Sequence, residues 1–476
     1  MLFNSISFFI FMSVVLFFYP RLAWRKQNVF LLIASYFFYG FWDWRFTFLI
    51  LVSTIVDFFI GKKIYAANDQ QQKRHFLLVS VTFNLSILGF FKYFNFFVDS
   101  MAGVLGTMGF EPHLPVLRII LPLGISFYTF RSLSYTIDIY RGKIKPENNF
   151  INYALFVSFF TQLLAGPIER AQNLLPQISS PRKLSSGQLM DGFSLIILGF
   201  FKKVAIADTL APIVEKFFST PSSFSSGELL SGVYAFAFQI YGDYSGYTDI
   251  ARGVSLLLGF KIMDNFNTPY LSRNVTEFWR RWHISLSTWL RDYLYISLGG
   301  NRLSRVRTYL NLMLTMFLGG LWHGAAWTFV AWGTAHGFYL AAHKFLFGSS
   351  KKNHALESRI ASRWVADMVK IFFTFHLVAF TWIAFRAKDF QTVLQYLTGI
   401  FRFESIWKLD LSVLFACGLM IILDIVQALT KSNTWLLNRN TALPIRYALT
   451  QVFLVSIMAA AISHVNTITP FIYFQF

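Results

Sequence analysis

An all-α protein that crosses a membrane many times is the fold class this sequence predicts, and three observations predict it. Of its 476 residues 55% are hydrophobic and only 14% charged, whereas soluble domains carry roughly 25% charged residues. Apolar runs recur along the whole chain, and roughly 20 such residues suffice for a helix to span a bilayer. The basic residues between the runs gather in short loops, as inner loops of membrane proteins do. One integral domain is expected over 1–476, with N-terminal spans in 1–145, a histidine-bearing core in 146–347 and C-terminal spans in 348–476.

The formal net charge is +19, from 42 Lys+Arg against 23 Asp+Glu. In a soluble protein that excess would point to nucleic acid. Here its place in the loops accounts for it, no nucleic-acid motif accompanies it, and the expected surface partner is the lipid bilayer. Cys417 is the only cysteine, which excludes an intramolecular disulfide and argues against a thiolate zinc site. No H-E-x-x-H or Cys/His pattern, Walker motif or G-x-S-x-G elbow occurs. The expectation is therefore no metal, no resident cofactor and no serine nucleophile of the chain's own.

Residues 2–19 form the first apolar run, closed by Pro20 and Arg21. It lacks a basic n-region and a cleavage site, so it reads as a retained span. Arg25 and Lys26 place the next loop inside. Runs 28–42 and 46–60 follow, and Lys62, Lys63, Lys73 and Arg74 mark a second inner loop of matching parity. The run 76–98 is interrupted by Lys92 and Asn95, and the loop 106–117 holds Gly106, Pro112 and Pro115. A span over 118–140 leads to Arg141, Lys143 and Lys145. Residues 150–165 are apolar and give way to AGPIERAQNLLPQISSPRK, a loop or short surface helix at the inner interface. The run 189–206 ends near Lys202 and Lys203, 219–228 is a polar turn region, and 229–242 is apolar again before YGDYSGYTDIARG intervenes. Runs over 309–322 and 325–347, a basic loop with KKNHALESR, and runs near 364–385, 409–430 and 446–463 finish the chain. The total is about eleven spans, since periodicity does not separate re-entrant from crossing segments. No repeat period is visible.

Asp243 and Asp249 lie at membrane depth in the intervening polar stretch. Acidic residues there face a bundle interior or a cavity. A buried helix-packing site with small Ser and Gly neighbours is favoured over a direct chemical role.

The stretch 274–295 opens with Asn274 three residues before Glu277, the spacing of a capping box. On a helical wheel Phe278, Trp279, Trp282, Leu286, Trp289 and Leu290 share one face, Glu277, Arg280, Arg281, Ser287, Thr288 and Arg291 the other, with His283 at the border. Such a helix lies in the membrane interface, and an interfacial anchor is the favoured reading. Arginines also suit phosphates, which keeps a nucleotide-bearing donor on the inner side in play. His323 stands in LGGLWHGAAW, where Gly319, Gly320 and Gly324 leave room beside its ring for a substrate or a neighbouring helix. Burial favours the neutral imidazole, the form that accepts a proton from a hydroxyl. A core histidine bonded to a neighbouring helix is the competing reading, and residue type alone does not exclude it. His336 and His343 are seven apart on one helix face, and His343 beside Lys344 reads as interfacial.

The run NFNTPYLSRNVTEFWRRWHISLSTWLRDYLYISLGGNR followed by LGGLWHGAAWTFVAWGTAHG resembles the membrane-bound O-acyltransferase family, in the bacterial branch of alginate O-acetyltransferases. QLLAGPIERAQNLLPQ, DYSGYTDIARG and PFIYFQF are similar to that branch too. The resemblance implies a ring of helices around a central funnel or tunnel, in a bacterial inner membrane. His323 matches the family's essential catalytic residue and His283 its second functional histidine. The implied reaction is acyl transfer to a hydroxyl, with acetyl-CoA as cytoplasmic donor and an exported polysaccharide such as alginate as final acceptor. The implied partner is a periplasmic or cell-surface acetyltransferase with a Ser-His-Asp site. Trp279, Arg280, Arg281, Trp282, Trp322 and His336 are the candidates for holding substrate, and Asp243, Asp249, Gly320 and Gly324 for shaping the passage. D-alanyl or other acyl transfer to a cell-wall polymer is the alternative within the family. A transporter of a lipid-linked or acyl compound, using the two aspartates, is the alternative outside it.

Overall fold

The computed structural model describes the chain except residues 111–116, 118, 348–359, 438–441, 464–470 and 473–476, and of 360–363 the backbone alone. The expected loop 106–117 and the basic loop KKNHALESR lie largely or wholly outside the described residues. Among those described the secondary structure is helical throughout, without a strand. The helices are α1 (Ile6–Phe18), α2 (Trp24–Asp43), α3 (Arg45–Ala66), α4 (Gln70–Leu88), α5 (Phe94–Thr107), α6 (Ile125–Tyr140), α7 (Phe150–Ser158), α8 (Phe160–Leu163), α9 (Ala171–Ile178) and α10 (Ser186–Phe200). They continue as α11 (Asp208–Ser219), α12 (Ser226–Leu257), α13 (Val275–Arg281), α14 (Ile284–Trp289), α15 (Arg305–His323), α16 (Trp327–Phe347), α17 (Ile360–Arg386), α18 (Phe390–Ile400), α19 (Leu411–Thr430) and α20 (Leu443–Ser463).

Among the described residues four helical stretches are long and apolar enough to cross a bilayer: Gln70–Thr107, Trp364–Arg386, Leu411–Thr430 and Leu443–Ser463. Their side chains explain why. On α20 Phe453 is buried while Val452, Val455, Met458 and Ile462 are exposed, an arrangement suited to lipid and costly in water. The chain is a multi-pass membrane protein.

The chain divides into two compact units. The first comprises Met1–Leu189 with Val254–Met263. Its core carries polar pairs between helices: Asp57 on α3 accepts from Ser80 at 2.7 Å and Asn84 at 2.9 Å, both on α4. A second relay runs from Asn28 to Asn152 (3.0 Å), Asn152 to Ser179 (3.3 Å) and Ser179 to Glu147 (2.9 Å). Buried polar groups need such partners, more so where no water reaches. The apolar run 150–165 is not one span: the helix breaks at Phe159, between α7 and α8. The buried Arg131 guanidinium takes up the carbonyls the break releases, those of Phe156 (3.0 Å), Val157 (2.7 Å) and Gln162 (3.1 Å). Periodicity sees the apolar residues but not the cap supplied from α6. The helix expected over 118–140 starts only at Ile125, after Gly124 in a left-handed conformation (φ 75°).

The second unit comprises Met190–Gly253 and Asp264–Phe476. Here the polar stretch 241–253 does not interrupt the chain's helix, as the sequence suggested. It lies inside α12, a continuous helix of 32 residues. Two features sustain it. Gly246 sits against the backbone of Gly199, and Gly253 against that of Gly192, so α10 and α12 approach closely. The acidic side chains are paired: Asp249 with Lys202 at 2.8 Å, and Asp243 with Lys203 at 2.8 Å. Lys203 also meets Asp208 at 2.8 Å, and Arg252 meets Asp249 at 3.3 Å. The lysines sit in a wide helical turn over Phe201–Ala207 that links α10 to α11.

Candidate active site

The single interfacial helix expected over 274–295 is broken. Asn274 does cap α13, accepting from the Glu277 amide at 2.8 Å. Glu277, however, reaches back to the Arg273 amide at 2.9 Å rather than to Asn274. Burial works against its ionisation, but the bonds from Arg273 and the charges of Arg281 and Arg273 hold the carboxyl below its usual range. The helix then stops at Arg281, and His283 takes a left-handed conformation (φ 43°) before α14 begins. The extended segment before α13 secures the break: Asn267 N–H donates to the Arg281 carbonyl and Ile284 N–H to the Asn265 carbonyl, each at 2.9 Å. The wheel of one continuous helix therefore does not hold beyond Arg281. Histidine in the left-handed region is uncommon but tolerated, and here it turns the ring inward.

The ring of His283 is fully buried. Its Nε2 lies 2.9 Å from the Tyr244 hydroxyl and its Nδ1 3.2 Å from Asn265 Oδ1. The Ser285 amide, which only donates, points at the same Asn265 oxygen at 3.2 Å, and the Ser285 hydroxyl at 2.8 Å. That fixes the Asn265 amide orientation. His283 then carries its proton on Nδ1 and accepts from Tyr244 at Nε2. Burial lowers its pKa to about 3, so the ring is neutral.

His323 ends α15 and is 5% exposed. Its ring centroid lies 6.2 Å from that of His283, 5.0 Å from Trp322, 5.0 Å from Trp332 and 5.5 Å from Phe385. Trp322 also lies 5.9 Å from His283. The two histidines that the sequence singled out, 40 residues apart, thus share one aromatic enclosure. His336 stands one turn from Trp332 on α16, with ring centroids 4.9 Å apart. Both of its nitrogens are engaged: Trp279 Nε1 donates to Nδ1 at 3.3 Å, and Nε2 faces Thr381 Oγ1 at 2.9 Å. The Thr381 hydroxyl donates to the Val378 carbonyl at 2.7 Å, so it accepts from Nε2–H. His336, fully buried, is a cross-brace among α13, α16 and α17.

The glycines answer the question left open about them. A Cβ on Gly320 would run into the Phe329 carbonyl and Gly333 backbone of α16, and one on Gly324 into the Phe329 ring. Their space is taken by a neighbouring helix. Gly319 faces the Leu290 side chain, 3.2 Å from where its Cβ would be.

A cavity of about 740 Å³ opens beside this core. Trp279, Leu290 and Met316 form its inner wall, and Arg280, Arg291, His343 and Lys344 supply its polar lining. His283 and His323 do not line it. The arginines separate in role. Arg281 is held by Glu277 at 2.6 Å and by Thr268 Oγ1 at 3.1 Å. Arg291 pairs with Asp292 at 2.6 Å. Arg280 is exposed at the cavity and makes no ion pair among the described residues. Trp282 is fully buried against Phe266, Phe278 and Trp382, away from the cavity lining. Asp243 and Asp249 belong to the ion-paired cluster described above. Among the described residues no group of three or more His, Cys, Asp or Glu is arranged to hold a metal ion.

Tyr244 and Asn265 lie in stretches that carry the resemblance and Thr381 in none, but the sequence pairs none of them with a histidine. Each acts on a histidine 18 to 45 residues away in the chain, and neither periodicity nor spacing reports such pairings.

The structure thus brings a neutral, hydrogen-bonded histidine and a second one together in the buried interior of a multi-pass helical protein. The chain belongs to the membrane-bound O-acyltransferase family, whose sequence profile matches residues 144–387. It is an O-acyltransferase of the alginate O-acetylase-like branch. It is 43% identical over 408 residues to the probable alginate O-acetylase of Azotobacter vinelandii, covering 86% of this chain and 79% of that protein. It is 35% identical over 420 residues to the peptidoglycan O-acetyltransferase of Helicobacter pylori, covering 82% and 77%. Identity to the teichoic acid D-alanyltransferase of Bacillus subtilis is 29% over 295 residues, covering 59% and 72%.

Proposed function

We propose that this protein transfers an acetyl group from a cytoplasmic thioester donor, acetyl-CoA, toward an exported cell-surface polysaccharide, with His323 as the catalytic base. The reading is carried by one observation: His323 and His283 meet at 6.2 Å in one aromatic enclosure. His323 takes the proton of the attacking hydroxyl. That oxygen forms a bond to the acetyl carbon, the carbon–sulfur bond breaks, and the proton passes to the leaving thiolate. A thioester is already activated, so a base and tight placement suffice. His283, neutral and held by Tyr244 and Asn265, positions the reactants on the opposite side of the enclosure.

The cavity of about 740 Å³ suits the donor's phosphates, with Arg280 the available guanidinium. The thioester end then passes Leu290 and Met316, the flexible side chains of the inner wall. The hydroxyl belongs to the polysaccharide or to a periplasmic acetyltransferase with a Ser-His-Asp site that completes delivery. The ring of about eleven spans and the inner-membrane location belong to the same reading. Acetyl rather than D-alanyl transfer is favoured because the O-acetyltransferase relatives match more of the chain at higher identity.

The test is purified protein incubated with labelled acetyl-CoA and an acceptor, alongside His323→Ala and Arg280→Ala. Loss of the base is expected to lower turnover by roughly 10²- to 10⁴-fold without loss of folding. Arg280→Ala is expected to raise the donor KM with kcat nearly unchanged. A folded His323→Ala protein that transfers acetyl at the wild-type rate would refute the assignment.

A further inference from the structure

The segment at 471–472 lies against the buried charges of α12. The Ile472 amide donates to Asp243 Oδ2 at 2.8 Å, while Asp243 Oδ1 meets Lys203 at 2.8 Å. Phe471 stacks on Tyr247 with ring centroids 4.5 Å apart and an interplanar angle of 28°, and meets Tyr244 at 5.6 Å. Phe471 and Ile472 are each 2% exposed. Tyr244 and Tyr247, three apart on one face of α12, form the platform. Tyr244 is also the residue whose hydroxyl fixes Nε2 of His283. Phe266 closes its other side, with centroids 5.2 Å apart.

We propose that Phe471 and Ile472 are positioning residues for His283, acting through Tyr244. The proposal rests on the reading of His283 as part of the transfer site. Asp243 has two acceptor oxygens; one holds the lysine and the other anchors the 471–472 backbone, so the aspartate couples the ion cluster to this segment. Phe471 then presses on the ring of Tyr244, whose angle sets the hydrogen bond to His283. A tyrosine ring displaced by about 1 Å at such a site is enough to cost up to 10²-fold in rate. In this scheme Phe471 and Ile472 set the orientation of the His283 ring.

The experiment uses the full chain in detergent and has two arms. In the first, amide hydrogen exchange of the 278–290 segment is compared between wild type and Phe471→Ala, with no donor present. Faster exchange in the variant supports the coupling, and unchanged exchange overturns it. This arm does not depend on acyl transfer, so it stands even if labelled acetyl-CoA proves not to be the donor. In the second, Phe471→Ala and Tyr244→Phe are each expected to lower kcat about 10- to 100-fold with the donor KM unchanged. The double variant is expected to be no worse than the poorer single, and Phe471→Trp to retain most activity. Losses that multiply in the double variant would show that Phe471 acts by another route.

Discussion

At the residue scale, three buried histidines have three different surroundings. His323 is ringed by Trp322, Trp332 and Phe385. His283 has its tautomer set by Asn265 and Tyr244. His336 has both nitrogens committed to Trp279 and Thr381. His336→Ala removes the partner of a buried indole N–H and leaves a hole between α13, α16 and α17. Its cost is expected to be about 2–4 kcal/mol, from the unsatisfied donor and the lost packing. A lowered midpoint of thermal unfolding in detergent, with donor KM unchanged in whatever remains folded, checks it. The sequence picked out His283 and His323 because imidazoles in apolar runs are costly without partners. It placed His336 among the candidates for holding substrate, and residue type does not report that both of its nitrogens are already bonded. It grouped Arg280 with Arg281 for the same reason, and only the contact with Glu277 separates them.

At the scale of elements, the runs expected near 309–322, 325–347, 364–385, 409–430 and 446–463 correspond to α15, α16, α17, α19 and α20 within a few residues. These helices announce themselves by hydropathy. Where the expectation differs, a distant group decides: Arg131 lets the apolar run at 150–165 break, and residues 265–267 let the helix at 282–283 break. The polar stretch in α12 remains helical because lysines from the turn after α10 neutralise its aspartates. The crossing of α15 with α16 is close, and it makes an ordering testable. On Gly320 an added methyl meets backbone of α16, whereas on Gly319 it meets only the end of the Leu290 side chain. Gly320→Ala is expected to destabilise by about 1–3 kcal/mol and Gly319→Ala by clearly less. Thermal unfolding of the two variants measures the difference, and the reverse order would mean the crossing is looser than described.

At the scale of the whole molecule, the first unit gathers its basic loops. Lys62 lies 3.5 Å from the Asn148 carbonyl and Gln70 bonds the Tyr140 hydroxyl at 2.8 Å, so the loops after α3 and after α6 adjoin. The relay from Asn28 to Glu147 brings the start of α2, next to Arg25 and Lys26, to the same end. That is the clustering the positive-inside rule requires. Cys417 is the chain's only cysteine and is buried, so single cysteines introduced at Lys26, Arg74 and Lys145 report cleanly. All three are expected to react with a membrane-impermeant maleimide in inverted vesicles and not in intact cells. Labelling of any one from outside would reverse the orientation of this unit.

The paired charges between the turn at 201–207 and α12 also bear on how the protein is made. Lys203 has Asp208 close by in the chain, but Lys202 leaves the ribosome 47 residues (249 less 202) before Asp249, the carboxylate that neutralises it. A lone lysine deep in a membrane helix costs about 2.5–3.5 kcal/mol on insertion scales. The segment around α10 is therefore expected to wait at the translocon until α12 arrives, the two entering lipid as a neutral hairpin. A nascent chain halted before residue 240 should leave the α10 segment poorly inserted in a glycosylation-reporter assay. Replacing Lys202 by leucine, which leaves the Lys203–Asp208 pair in place, should release it to insert alone.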